Sequence, residues 1–420
     1  MTESENESKK RLLRLGGFVA ATYIGLFLIG FVGGLSLTEI YGQLISITVY
    51  AGVFGLLALA LNLHWGYTGM FNIGIAGFMA IGVYTMVFLT APPDPVASPV
   101  GGLDLPILVG VLGGVVVAAV AGALLAIPTL RVRADYFAII TLGFSEIVRL
   151  FIQSDTLGEI EIGGQIFGTG AGRSVRYSNL QDLTDAVLRT FAPSTVFDAF
   201  EALGFSESLV RRLFYALVAF LFMLAVLWLL RRIARSPFGR VLKAIREDET
   251  AARSLGKDTR MAKITVFALG SGLMGLGGIL WHGQSSFVEP DLFLPIYTFF
   301  IFIALIIGGS GSNLGAMVGG FAFAAFLWDG PRYLRTVVSE NLDIDAPQTI
   351  FDAGVALLQF DAIPMISYLA ESLNELRWIF IGIVLIMMML YRPEGLYGDQ
   401  EDTAAAVDLT ERPTGGDNNE

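Results

Sequence analysis

Apolar residues in this chain form long uninterrupted blocks, not alternating or heptad positions, and such blocks are the pattern of helices lying within lipid. The run LVGVLGGVVVAAVAGALLAI at 108–127 holds twenty residues without a charge. About 20 residues cross a ~30 Å hydrocarbon layer as a helix. Apolar length and punctuation predict about ten spans, at 15–35, 40–63, 67–90, 106–127, 135–153, 212–231, 262–282, 292–309, 313–328 and 376–391. Segment 135–153 is less apolar and 313–328 is short, so nine is the alternative count. The expected fold class is all-α, a polytopic transmembrane helix bundle.

Composition agrees: 54% of residues are hydrophobic, 15% are charged, and the mean hydropathy is +0.65. Forty-nine glycines would weaken soluble helices, but between membrane helices they allow close backbone approach. The absence of cysteine excludes disulfides and thiolate chemistry. His64 and His282 are too isolated for a His-rich metal site. The net charge of −11, with acidic loops and 22 arginines against 5 lysines, is the composition expected of a chain from a halophile.

The start MTESENESKKRLLRLGG has no evident cleavage site and reads as a cytoplasmic tail, 1–14, before an uncleaved first span. With ten spans and that start inside, the inner segments carry 18 of the 27 basic residues, including every lysine, which puts both termini in the cytoplasm. The permease body is expected at 15–398, followed by an acidic, disordered tail at 399–420. Two long segments, 154–210 and 329–375, fall outside. The first has turn chemistry in GEIEIGGQIFGTGAG and then polar helical stretches; the second carries Pro347 and Pro364, and either suits short interfacial helices. They serve either as connections or as a docking surface for an external partner.

Between two spans lies SPFGRVLKAIREDETAARSLG, 236–256. Ser236 and Pro237 start a helix, and Gly256 ends it in a left-handed conformation. Phe238, Val241, Leu242 and Ile245 form one apolar stripe, opposite Arg240, Lys243, Arg246 and Glu247. A basic membrane-surface helix would obey the same charge rule. It would have no reason to place the acids of REDE, 246–249, beside the small residues Ala251 and Ala252. That mixture suits a groove on another protein.

Within the nominal span at 67–90, GYTGMFNIGIAGFMAIG is dense in glycine and polar side chains. Asn62, Tyr67, Thr68, Asn72 and Gly74 point to a discontinuous helix lining a transport path. Helix packing along Ala76 and Ala80 is the other reading. Glu146 and Arg149, one turn apart, form either a structural ion pair or a contact for a zwitterion. GGSGSNLG, 308–315, lacks the lysine of a Walker loop, and Gly256-Lys257 is followed by Asp258 and has Ala251 where the first glycine belongs, so the glycine run reads as a tight inner connection. No catalytic constellation and no nucleic-acid groove is present in the sequence.

EDETAARSLG resembles the cytoplasmic coupling segment of ABC-importer permeases. The wider stretch to TRMAKITVFALG resembles the branched-chain amino-acid permease family more closely. So do LNLHWGYTGMFNIGIAGFMAIGVYT (61–85), LRVRADYFAIITLGFSEIVRL (130–150), GGSGSNLGAMVGG (308–320) and YRPEGLYG (391–398), in the family's order. Met70 and Phe71 replace a small polar pair, His64 and Trp65 are bulky for their turn, and 154–210 matches no pattern of the family.

The resemblance implies a non-enzymatic permease subunit of an ATP-driven importer, supplying half of a pore in a prokaryotic plasma membrane. It implies two cytoplasmic ABC ATPases that bind ATP and Mg, a second related permease, an extracellular binding protein, and surrounding membrane lipid. The coupling set it implies is Arg246, Glu247, Asp248, Glu249, Ala251, Ala252 and Gly256. Cargo other than branched-chain amino acids (urea, amides, sugars) stays open. So does a stand-alone secondary transporter that titrates Glu146.

Overall fold

The computed structural model describes residues 3–93, 98–129, 132, 134–191, 200, 202, 205–341 and 347–397. Its helices are α1 (Glu3–Val32), α2 (Leu37–Leu61), α3 (Ile75–Thr90), α4 (Ile107–Thr129), α5 (Ala134–Gln153), α6 (Asp155–Gly158) and α7 (Leu180–Phe191). They continue with α8 (Glu207–Arg235), α9 (Pro237–Glu247), α10 (Glu249–Ser254), α11 (Thr259–His282), α12 (Ile296–Gly308) and α13 (Asn313–Ala322). The last four are α14 (Gly330–Asn341), α15 (Ile350–Leu358), α16 (Ile363–Glu371) and α17 (Leu373–Tyr391). Short π-helical segments follow α2, at Asn62–Gly66, and α13, at Phe323–Trp328. The expected tail 399–420 lies outside the described residues, and α1 reaches back through most of 1–14.

Among the described residues eight helical stretches are long and apolar enough to cross a membrane, and a ninth comes from α16 and α17 together, bent by 80°. The molecule is therefore the expected all-α polytopic bundle. Every expected span coincides with a helix. The count falls short of ten because α3 begins at Ile75, not at 67, and has only 16 residues.

α2 and α11 form the centre. Every residue from Ala51 to Leu61 and from Gly270 to Leu280 is buried. Small residues make this density feasible: a Cβ on Gly82 of α3 would stand 2.6 Å from the Cα of Gly275 on α11, so only glycine permits that crossing. α4 lies on the outside, showing Leu108, Leu112, Val116, Val120 and Leu124 along one ridge. Apolar and exposed at four-residue spacing, this is a surface for lipid.

One end of the bundle carries α9, α10, residues 309–312 and 395–397. The opposite end carries a small cap. There β1 (Ile160–Ile162) pairs antiparallel with β2 (Gln165–Phe167) through a Gly163-Gly164 turn, and β3 (Val175–Arg176) pairs with β4 (Phe287–Val288). The Tyr177 hydroxyl donates to the His282 carbonyl at 2.9 Å and fastens the cap to the end of α11. Helices α7 and α14–α16 are the short helices expected in the two long segments. The strands were not legible, because three residues are too few to show alternation.

Candidate functional site

The charged stretch folds as two helices, a correction to the single helix expected over 236–256. Ser236 starts α9 as expected, its hydroxyl accepting from Gly239 N at 3.2 Å with Pro237 in the first turn. Leu242 and Ile245 of the apolar stripe are buried, while Phe238 and Val241 are half-buried. The chain breaks at Asp248, whose backbone is extended. One carboxylate oxygen of Asp248 accepts from Thr250 N at 2.8 Å and Ala251 N at 3.0 Å, so this acid caps α10. A residue that can satisfy two free amides competes with helix continuation, and here the cap prevails. Gly256 ends α10 with φ +74°, and Lys257 N bonds back to Ala252 O at 3.3 Å.

The expected coupling residues divide into two sets. Arg246, Glu247, Asp248, Ala251 and Gly256 are exposed, whereas Ala252 is buried under α10. Glu249 turns inward. It accepts from Arg253 at 2.8 Å and from the Thr259 hydroxyl at 3.1 Å, and it pairs with Lys263, tying α10 to the first turns of α11. Partial burial raises the Glu249 pKa, but Lys263, Thr259 and Arg253 outweigh it and hold the carboxyl below its ordinary range. Leu255 and Met261, 77% and 58% exposed, add apolar contact area beside this set, which charge patterning did not single out. An exposed leucine directly before the terminating glycine was the available signal.

Arg246 reaches out of α9 into the bundle. Its Nη1 donates to the Gly66 carbonyl at 2.6 Å, where the π segment ends, and it lies beside Gly311. One turn deeper, the Asn62 side chain accepts from Gly311 N at 2.7 Å and donates to Asn313 Oδ1 at 3.0 Å. The glycine run is thus the tight connection expected, between α12 and α13, and the motif YRPEGLYG docks on it. Leu396 N bonds Ile307 O at 2.8 Å and Tyr397 N bonds Gly308 O at 3.0 Å.

The expected discontinuity is present: residues 69–74 are not helical, and α3 starts inside the bundle. Backbone amides freed there need partners, because lipid supplies none. The Thr141 hydroxyl accepts from Ile73 N at 3.0 Å and the Thr298 hydroxyl from Ala76 N at 3.1 Å. Asn72 accepts from Gly74 N at 2.8 Å and donates to His64 Nδ1 at 3.1 Å. With Nδ1 an acceptor, His64 Nε2 is the donor, shared between Val266 O and Phe267 O at 3.2 Å each. The ring also stacks on Phe267, centroids 4.6 Å apart. His64 therefore clamps the broken segment to α11, a role its isolation in sequence concealed.

Asn62, Tyr67, Thr68, Asn72 and Gly74 are all buried. Thr68 donates to His64 O at 2.6 Å, so this set holds the break together. Glu146 stands apart at the capped end. It pairs with Arg149 at 2.6 Å, and Arg149 also pairs with Asp291 at 3.0 Å.

A bundle of long apolar helices with one buried broken helix, held by a bond from an exposed charged hairpin, defines an integral membrane protein. Residues 43–330 match the family model of the permease component of branched-chain amino acid transport systems, and the chain belongs to that family. It is 30% identical over 361 residues to the high-affinity branched-chain amino acid transport system permease protein LivM of Escherichia coli (strain K12), covering 84% of this chain and 69% of that one. It is 23% identical over 375 residues to a probable branched-chain amino acid transport permease protein LivM of Methanocaldococcus jannaschii, covering 83% and 92%. A shorter likeness, 31% over 103 residues, joins 23% of it to 29% of the autoinducer 2 import system permease protein LsrC of Salmonella typhi. No solved structure matches the chain. The chain is a transport permease, not an enzyme.

Proposed function

We propose that the chain supplies half of the pore of an ATP-driven importer of branched-chain amino acids in a prokaryotic plasma membrane. Its α9–α10 hairpin lies in the cytoplasm, as do both termini, in keeping with the excess of basic residues in those segments. The partners are two ABC ATPases, which bind ATP and Mg, a second related permease and an extracellular binding protein.

The observation that carries the reading is the bond from Arg246 to Gly66. Arg246, Glu247, Ala251, Leu255 and Gly256 present the docking face. Asp248 and Glu249 set its shape, one by capping α10 and the other by bracing it on α11. Movement of the hairpin would pull the end of α2 through Arg246 and the start of α11 through Glu249. Asn62, Tyr67, Thr68, Asn72 and Gly74 hold the break that such a pull would shift, a rigid-body mode of transmission.

Uptake of radiolabelled leucine by liposomes holding the full complex tests this. ATP-dependent uptake that is indifferent to ion gradients is expected. Uptake driven by a proton or sodium gradient without ATP would overturn it. The Glu146–Arg149–Asp291 pairing favours a structural role for Glu146 over a titrating one.

A further inference from the structure

Arg377 lies in the first turns of α17, at the capped end. Its guanidinium carbon stands 5.1 Å from the ring centroid of Trp328, 5.7 Å from Trp378 and 5.8 Å from Phe300. Its Nε is buried and has no acceptor, and Arg377 forms no ion pair among the described residues. Asp329, the acid next to Trp328, faces Arg332 at 3.8 Å instead. Glu375 is two positions back on the same helix, a spacing that does not bring side chains face to face.

A cation inside a membrane span is costly to bury and is normally matched by an anion or by the aqueous path it serves. Three rings supply part of that match through their faces. They leave the in-plane Nε–H without an acceptor, and an in-plane guanidinium donor suits a carboxylate oxygen. The aromatic wall continues inward: Trp328 meets Trp281 at 5.3 Å and Tyr50 at 5.8 Å, on the two central helices α11 and α2. A donor for an anion therefore borders a wall of half-buried aromatic side chains, Trp328, Trp281 and Tyr50, suited to an apolar group.

We propose that Arg377, with Trp328, Phe300 and Trp378, forms an entry site for an apolar amino acid at the capped end. Arg377 holds the α-carboxylate, and the half-buried aromatic wall beyond it borders the apolar side chain. The proposal rests on the importer reading above and adds a substrate-binding site to it. A lipid phosphate offers similar anion chemistry, but it would engage only the outer rim of a wall that runs to the central helices.

The test is direct binding of radiolabelled leucine to the full complex in vesicles, without the binding protein. Arg377→Gln should weaken binding about tenfold or more, and Arg377→Lys by less. Leucinamide, which lacks the carboxylate, should compete about tenfold more weakly than leucine on the native complex and equally on Arg377→Gln. Equal leucine binding by native and Arg377→Gln complexes would overturn the proposal. So would equal competition by leucinamide on the native complex.

If Arg377→Gln does not assemble, Tyr297→Cys serves as a reporter, 5.9 Å from Phe300 by ring centroids in a chain without other cysteines. Leucine should slow its thiol labelling and leucinamide should not. Labelling that responds to anionic lipid content but not to leucine would assign the site to lipid and contradict the proposal. ATP-driven leucine uptake, measured in the same vesicles, separates the two readings. Its loss in the native complex sinks the importer reading, whereas intact uptake with no leucine effect sinks this site alone.

Discussion

The Nη1 atom of Arg246 lies 2.6 Å from the carbonyl oxygen of Gly66, joining an exposed charged hairpin to the π-helical end of the central helix α2. Few other side chains could make that join. The acceptor is a carbonyl with no proton to give, and the donor must reach it from a helix outside the bundle while staying charged. Arg246→Ala should leave the complex assembled and the ATPases active while leucine uptake falls by about tenfold or more. Parallel assays of ATP hydrolysis and uptake check this. Equal loss of both would make Arg246 a folding residue and not a transmitting one.

Gly270 faces the His64 ring so closely that a Cβ would stand 2.1 Å from its Nε2. Gly270→Ala should destabilise the protein by about 1–3 kcal/mol, because the ring cannot move without releasing Asn72 or the α11 carbonyls. Thermal unfolding of the purified complex reads this. Gly143, which has open space around its Cβ position, is the control, and Gly143→Ala should be near neutral.

Asp248 divides α9 from α10 by capping two amides. Asp248→Ala should cost α10 about 1 kcal/mol, and Asp248→Asn should cost little because an amide oxygen caps as well. Hydrogen exchange at Thr250 and Ala251 reports it. Faster exchange in both variants would show that charge, not capping, matters there.

Glu249 gives the hairpin an acid limit. Its carboxyl is held below the ordinary range in the folded state, so its contribution is fully present above that range. The contribution is lost as pH falls through the lowered folded value. Between about pH 6 and pH 3, protection of the α10 amides should fall in the native protein and change less in Glu249→Gln. Identical pH profiles would remove Glu249 from that role.

Much of the fold was legible because lipid imposes it. Twenty charge-free residues such as 108–127 have few alternatives to a spanning helix. The broken helix was legible for the same reason, since dense glycine with Asn62 and Asn72 inside a span marks backbone needing protein partners. The partners were not legible: Thr141 and Thr298 come from distant spans, and one threonine among apolar residues carries no signal of what it will face. Nor was the division at Asp248. Its neighbours fit one continuous helix, and only the cap geometry shows that the side chain satisfies the next turn's amides. Glu249 looked like a surface charge because its partner Lys263 lies beyond a turn, in the following helix.

The central claim is that α9 and α10 dock on a partner ATPase. The most direct measurement is site-specific crosslinking from Leu255→Cys, made in this cysteine-free chain within native membranes, with Ile162→Cys at the capped end as control. The account predicts an adduct between Leu255→Cys and an ABC ATPase, with a yield that changes when ATP is added, and no such adduct from Ile162→Cys. An ATPase adduct from Ile162→Cys alone, or none from Leu255→Cys in a complex that retains the ATPase, would contradict it.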